Sequence, residues 1–420
     1  MKRAFVLVVV LLASVTLTAT LAFSQKTIEL KHFNWRPEDL EKWGKIYDEF
    51  MQENPDIKLI DDPIPAANYF NNLEINLEGK QADPICSIWQ NRVWNNNMFK
   101  RGYFVDLTAL LPEFKKVPPH HQYNFMTNDG KAFAAPVSAQ YTGMLYNKKI
   151  FKKYDLTPPV TWDEFIALCK KLKGAGVTPL MFQVKDAWHI HYAFDLMMKP
   201  FLGGPAFISQ LMSGKYDFTN PKFVDALKRL KSLEPYFPKN YTGLGYSDAQ
   251  NMVATEQVAI WPGCGSWEVY TIKNINPDVE LGVFPTPVAK KGDRAYVTVF
   301  TDQGLTIAQS ASEEQKQAAL RFLKWMTTPR AGALVNKYIG FFNCWDTNVF
   351  EDEALKDYAA LAGKNGELII SDWAILLSDG SPTATELIQA GISALMAGTK
   401  TAEQVAQDIK TGLSVWYGKK

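Results

Sequence analysis

The stretch GMLYNKKIFKKYDLTPPVTWDEFIALCKKLKGAGVTPLMF, residues 143–182, holds a whole strand–helix–strand unit. Met144-Leu145-Tyr146 is a short apolar run of strand type. Thr161-Trp162-Asp163-Glu164 has the spacing of a capping box, with Thr161 accepting from the third helical N–H and Glu164 reaching back. Phe165, Leu168, Cys169 and Leu172 then recur on one helical face. Gly174 and Gly176 end the helix, and Pro179 to Gln183 gives the next strand. A strand, a helix with one apolar face and another strand make the unit of an α/β layer.

The same alternation appears on the amino-terminal side. Ile28, Leu30 and His32 alternate with polar residues, and Leu40, Trp43, Tyr47, Phe50 and Met51 form a helical face that Pro55 stops. Ile57, Leu59 and Ile60 give a second strand, followed by a helix over 68–79, a buried strand over 85–89 and a helix over 93–101. This order predicts a mostly parallel sheet covered on both faces. A second α/β set starts near Thr142, with helices over 187–201 and 221–234 and strands over 257–261, 281–284, 296–300 and 304–308. From Ser312 onward the pattern is almost wholly helical, with Pro329 placed to open a helix. No internal repeat or low-complexity linker interrupts it.

With 420 residues, 47% hydrophobic and 21% charged, the chain is an ordinary globular protein of two or three domains. Its formal charge is +1, or −1 without Lys2 and Arg3, which gives no footprint for nucleic acid. Lys2-Arg3, the apolar run AFVLVVVLLA at 4–13 and Ala22-Phe23-Ser24 read as a secretory signal peptide cut after Ser24. The expected location is therefore periplasmic or extracellular. Cys86, Cys169, Cys264 and Cys344 are far apart, and buried thiols are favoured over disulfides.

Phosphate-loop, dinucleotide, zinc-protease and serine-hydrolase signatures are absent from the sequence. His189-x-His191 has no acidic or cysteine partner at a metal-site spacing, so no metal or cofactor is expected. The 12 Trp are the unusual feature, because several stand beside planar polar residues just past predicted strands. Trp35-Arg36 follows the first strand, Trp89-Gln90-Asn91-Arg92-Val93-Trp94 the third, Asp186-Ala187-Trp188-His189 the Pro179 strand and Ser266-Trp267-Glu268 the 257–261 strand. Ligands of open α/β sheets collect at the carboxyl ends of strands. Sugar rings stack on flat aromatic faces and need fixed donors and acceptors for their hydroxyls.

On these residues the chain resembles the extracellular solute-binding proteins of sugar ABC transporters, the broad family that includes the maltose-binding protein. Residues 143–182, AIWPGCGSW at 259–267 and INPDVELGVFPTP at 275–287 carry the likeness, with weaker support from Asn54-Pro55 and MAGTKTAEQVAQDIKTGL at 396–413. The resemblance implies two α/β lobes with the ligand clamped between them and several chain crossings at the hinge. The first lobe would hold 25–139 and 300–345, and the second 140–299 and 346–420. It further implies a non-enzymatic sugar binder, a monomer, that delivers its ligand to membrane permease subunits. By family position the cleft residues fall on Trp35, Arg36, Trp89, Gln90, Asn91, Trp94, Gln140 and Asp302. From the second lobe come Asp186, Trp188, His189 and Trp267, with Trp345 or Trp373 standing for a late stacking aromatic. Gln140 replaces an acidic residue of relatives, so maltooligosaccharide specificity is not implied. The alternatives are an exported hydrolase, which would need a carboxylate pair about 5–9 Å apart, and a binder of a polyol or phosphorylated solute.

Overall fold

The structure is a computed structural model, and it describes residues 27–127, 129–345, 348–364, 366–370, 377 and 380–417. The expected signal peptide and Trp373 lie outside the described residues.

The first set of layers forms as the sequence pattern dictates. β1 (Ile28–Asn34) pairs in parallel with β2 (Ile57–Pro63) and with β3 (Ile85–Ile88). Helix Leu40–Glu53 lays Trp43, Ile46, Tyr47 and Phe50 on one face of this sheet, against Leu30 and Phe322. Phe33, Tyr69, Ile88, Phe104 and Phe133 fill the other face. Each large side chain so buried contributes about 1.5–3 kcal/mol relative to exposure. Alternate residues of β1 therefore enter two different cores.

Two long strands join this set to the next. β4 (Ala135–Asn147) and β8 (Ala295–Ile307) are antiparallel partners from Ala135↔Leu305 to Thr142↔Thr298. Beyond that span β4 pairs with β6 (Val258–Gly265) and β7 (Leu281–Phe284), while the far end of β8 pairs with β3. β5 (Thr178–Leu180) adds in parallel to β6. The helix Trp162–Gly174 starts with the expected Thr161/Glu164 capping box and buries Phe165, Leu168, Cys169 and Leu172. Helices Ala384–Met396 and Ala402–Leu413 pack into that same second core.

Four expectations are corrected. The sheet is mixed rather than mostly parallel, because β4 runs antiparallel to β6, β7 and β8, and β8 runs antiparallel to β3. The strands expected over 296–300 and 304–308 are one, β8. Its polar centre is buried and bonded to other elements: Thr301 to His121, Asp302 to Arg36, Gln303 to Ser87. The strand expected from Pro179 to Gln183 ends at Leu180. The carboxyl-terminal part is not wholly helical, since β9 (Gly366–Ile370) pairs in parallel with β8. All four cysteines are free and buried, and burial raises the thiols of Cys86, Cys169 and Cys264. Among the described residues no helix is long and apolar enough to cross a membrane.

Candidate functional site

The carboxyl ends of β1 and β3 build one side of the site. Trp35 is half-buried, its ring 5.3 Å from Tyr69 and 5.8 Å from Phe70. Arg36 Nη2 donates to both oxygens of Asp302 at 2.8 Å, and the guanidinium lies 4.7 Å over Phe341. Burial opposes the Arg36 charge, but Asp302, Asp39 and Glu38 outweigh it and raise its pKa. Burial raises the Asp302 carboxyl although Arg36 pulls it down. Because both Asp302 oxygens accept from Nη2 at 2.8 Å, we read a charge-assisted pair in which both groups stay charged. The pair fastens the end of β1 to the crossover strand β8.

Trp89 is half-buried, and its carbonyl accepts from Asn95 Nδ2 at 2.7 Å. Gln90 is fully buried, and neither end of its amide has a partner among the described residues. Asn91 has a structural task, because its side-chain oxygen caps helix Arg92–Lys100 by accepting from the Trp94 backbone N–H at 3.1 Å. Trp94 is likewise engaged: its indole N–H donates to Glu74 at 3.3 Å and its ring packs near Phe70.

The other side is aromatic. Trp188 is 42% exposed and lies 4.5 Å from Tyr246, centre to centre. His189 is buried beside Tyr246 and Trp261, and burial pushes it down to about 3, so it is a neutral ring. Its Nε2 has no partner among the described residues. His189 and His191 lie on helix Ala187–Leu202, and no group of three metal-binding side chains occurs among the described residues. Asp186 accepts the Tyr246 backbone N–H at 2.5 Å.

Trp267 is held from several directions. Its indole N–H donates to the Tyr246 oxygen at 2.8 Å, and that hydroxyl donates to buried Glu268 at 2.5 Å. Gln250 donates to the second Glu268 oxygen at 2.9 Å, and burial raises this carboxyl. The Trp267 ring folds over Gly265 so closely that a Cβ there would stand 1.6 Å from it. Its far side reaches the first-lobe core and Phe300, at 5.7 Å. Gly263, at φ +73, brings β6 against the Ala193 backbone, where a Cβ would meet an atom at 2.5 Å.

Between the two sides run β4 and β8. Gln140 accepts from Ser266 Oγ at 2.9 Å through Oε1, leaving Nε2 without a partner among the described residues. Ser138 Oγ, Gln303 Oε1 and both ends of the Gln183 amide are buried in the same unpartnered state. Trp345 is half-buried against the second-lobe core, with its indole N–H also unpartnered among the described residues. Sequence reading missed Tyr246, Gln183, Ser138 and Gln303. The glutamine past the third strand had a counterpart past the fifth, and that repetition was the available signal. A cavity of about 320 Å³ lined by Glu29, Lys31, Asp83 and Gln315 lies at the opposite end of β1 and has no part in this constellation.

Comparison with known proteins agrees with this architecture. The multiple sugar-binding protein of Streptococcus mutans is 29% identical over 335 residues, covering 77% of this chain and 76% of that protein. The melibiose/raffinose/stachyose-binding protein MelE of Bacillus subtilis is 22% identical, over 73% of this chain and 71% of its own. Among solved structures, apo RafE from Streptococcus pneumoniae superposes with a TM-score of 0.77 at 21% identity, covering 93% of this chain and 98% of that one. A sugar transporter protein of Bacillus licheniformis in complex with stachyose gives 0.71 at 20% identity, over 91% and 98%. These likenesses establish the two-lobed solute-binding fold. The model of the bacterial extracellular solute-binding protein family matches residues 36–333, and the chain belongs to that family.

Proposed function

We propose that this protein is the substrate-binding component of an ABC importer, taking a sugar or oligosaccharide between its lobes and delivering it to membrane permease subunits outside the cytoplasm. One observation carries the reading. Among the described residues, buried amide ends of Gln90, Gln140, Gln183 and Gln303 lack partners, Gln140 is bonded to Ser266 next to Trp267, and Trp188 and Trp267 meet at Tyr246. A buried polar group without a hydrogen bond costs about 1–3 kcal/mol, so a ligand rich in hydroxyls would be bound by relieving that cost. Rings and planar amides are also the pairing a sugar needs. Relatives named for sugar binding support the same ligand class.

In this reading the first lobe is 25–139 with 300–345, the second is 140–299 with 346–420, and β4 and β8 are the hinge. A sugar held by one lobe adds contacts to the other and shifts the lobes toward the closed form, which docks on the permease. The protein acts as a monomer and without chemistry. Asp186 and Glu268 hold protein donors instead of facing each other as an acid and a base. The test is a thermal-shift screen of mono- and oligosaccharides, including raffinose and stachyose, with mass spectrometry of the recovered sugar. Saturation at about 100 Kd adds roughly 2.7 kcal/mol, so a binding sugar raises the melting temperature and returns intact. A screen in which no sugar raises it, or a sugar recovered cleaved, overturns the proposal.

A further inference from the structure

Under the first-lobe sheet a line of side chains crosses four adjacent strands in their spatial order, β2-β1-β3-β8. Asp61 on β2 stands opposite His32 on β1. The Tyr47 hydroxyl donates to Asp61 Oδ1 at 2.9 Å and lies 2.5 Å from His32 Nδ1. His32 Nε2 lies 2.7 Å from Ser87 Oγ on β3, and Gln303 Nε2 on β8 donates to that same oxygen. Asn34 Nδ2 adds a second donor to Asp61 Oδ1, at 2.5 Å.

Proton bookkeeping gives this line a direction. Tyr47 has one hydroxyl proton and spends it on Asp61, so its oxygen must accept from His32 Nδ1–H. Burial pushes His32 down to about 3, so the ring is neutral and carries one proton only. Nε2 is then bare and accepts from the Ser87 hydroxyl. Ser87 can therefore only accept from Gln303, which turns the amide N–H₂ inward and the carbonyl oxygen Oε1 away. That oxygen is buried without a partner among the described residues, and in register it stands opposite Ser138, whose hydroxyl is in the same state. Gln140, two residues further along β4, has the opposite polarity: Ser266 occupies its oxygen and leaves the N–H₂.

We propose that Asp61, Tyr47, His32 and Ser87 are positioning residues that lock the Gln303 amide, next to the carboxyl end of β3, with its oxygen turned away from Ser87, so that this point of the candidate site takes only a hydrogen-bond donor. The identity of the ligand as a sugar rests on the reading above. The direction of the chain is independent of pH near neutrality. Burial raises Asp61 to about 7, with Asp62 and Asp39 adding to it and the Tyr47 and Asn34 donors opposing it. Lys31 faces Asp62 at 3.8 Å and Lys42 faces Asp39 at 2.6 Å. Because Oδ1 already accepts from Tyr47 and Asn34, in the proposed chain a proton taken up goes to Oδ2, which is buried and unpartnered among the described residues. Oδ1 continues to accept, and nothing upstream has to turn.

Two measurements test this. In ligand-free protein, ¹⁵N spectra of the His32 ring are expected to show Nδ1 protonated and Nε2 bare at pH values on both sides of about 7. A ring protonated at Nε2, at both nitrogens, or changing across that range overturns the proposal. The second measurement is affinity for raffinose, or whichever sugar the screen selects, and for its singly fluorinated derivatives, since fluorine replaces a hydroxyl but cannot donate. Wild-type protein is expected to discriminate against one fluorinated position by about five- to tenfold, the size of one hydrogen bond. Ser87→Ala frees the amide to turn, and the discrimination is expected to collapse toward one while binding persists. Tyr47→Phe, which leaves Ser87 in place, is expected to lower it less. An unchanged ratio in folded Ser87→Ala overturns the proposal. If no sugar binds wild-type protein although the ring spectrum is as expected, the sugar reading fails and the directed chain stands.

Discussion

The two sides of the site differ in how they are prepared. The first-lobe side is polar and buried: an ion pair between Arg36 and Asp302, a hydrogen-bonded line ending at Gln303, and Gln90 with neither amide end partnered among the described residues. The second-lobe side is a stack of rings, in which Tyr246 is touched by Trp188, His189, Trp261 and Trp267. Polar groups in a fixed direction discriminate between ligands, whereas ring area supplies affinity with little directional demand. The comparison teaches a division of labour within the proposed function: one side would read hydroxyl pattern, and the other would hold the apolar faces.

The sharpest way to break that division is to unpair the first-lobe charge. Asp302→Ala leaves the Arg36 guanidinium without its hydrogen-bonded carboxylate, and breaking a buried pair costs about 3–5 kcal/mol. Chemical denaturation is expected to show that loss, with the second-lobe rings unaffected in near-ultraviolet circular dichroism. A loss under about 1 kcal/mol would place the pair among solvent-screened bridges. On the aromatic side, Trp267→Ala is expected to weaken sugar binding by about 2 kcal/mol, or roughly 30-fold. Trp188→Ala should cost less, because its ring is 42% exposed while Trp267 is fixed by Tyr246 and by the first-lobe core. Titration calorimetry checks the order, and equal or absent effects would remove the rings from the site.

Gln90 separates fold from function by sign. Its amide is buried with both ends unpartnered among the described residues, so Gln90→Leu removes a cost of the free protein. The variant is expected to melt higher and to bind sugar about five- to tenfold more weakly. Stability and affinity falling together would mean that the amide has a partner in the free state.

The sequence made one kind of feature readable and left another hidden. Capping at Thr161 and Glu164, the Pro329 helix start and the apolar faces around Trp43 and Phe165 are local, so neighbouring residues declare them. β8 was hidden because Thr301, Asp302 and Gln303 look like a strand break. Their partners His121, Arg36 and Ser87 lie 180, 266 and 216 residues away. The aromatic clusters were visible for the same local reason, and Trp188 and Trp267 stand together through Tyr246. Asn91 and Trp94 share the composition of that pattern but serve a helix cap and a helix contact. Tyr246 and Gln303 carry no pattern at all, since what makes them notable is what they touch.

The smallest effect concerns pH. On the second-lobe side His189 and His191 are pushed down to about 3 and about 4, chiefly by burial. Each binds a proton more readily unfolded, at its ordinary 6.5, than folded. Their contribution is present above that value and is lost as pH falls below it. His32 and His121 on the other side add to the same acid loss. That side also carries Asp61, raised to about 7, and Asp83, raised to about 6, again mainly by burial. These carboxyls keep a proton in the folded state after the unfolded chain has released it, so they stabilise below their unfolded value of 3.8 and lose that contribution as pH rises to about 6 and about 7. Below 6.5 the histidines outweigh them; between 6.5 and about 7 the Asp61 loss continues. Stability is therefore expected to peak close to 6.5 and to decline slightly just above it. Asp61→Asn has no proton to lose and is expected to abolish the decline while keeping the acid limb. Melting temperatures of the two proteins across that range decide it, and a decline that survives in Asp61→Asn would assign it to another group.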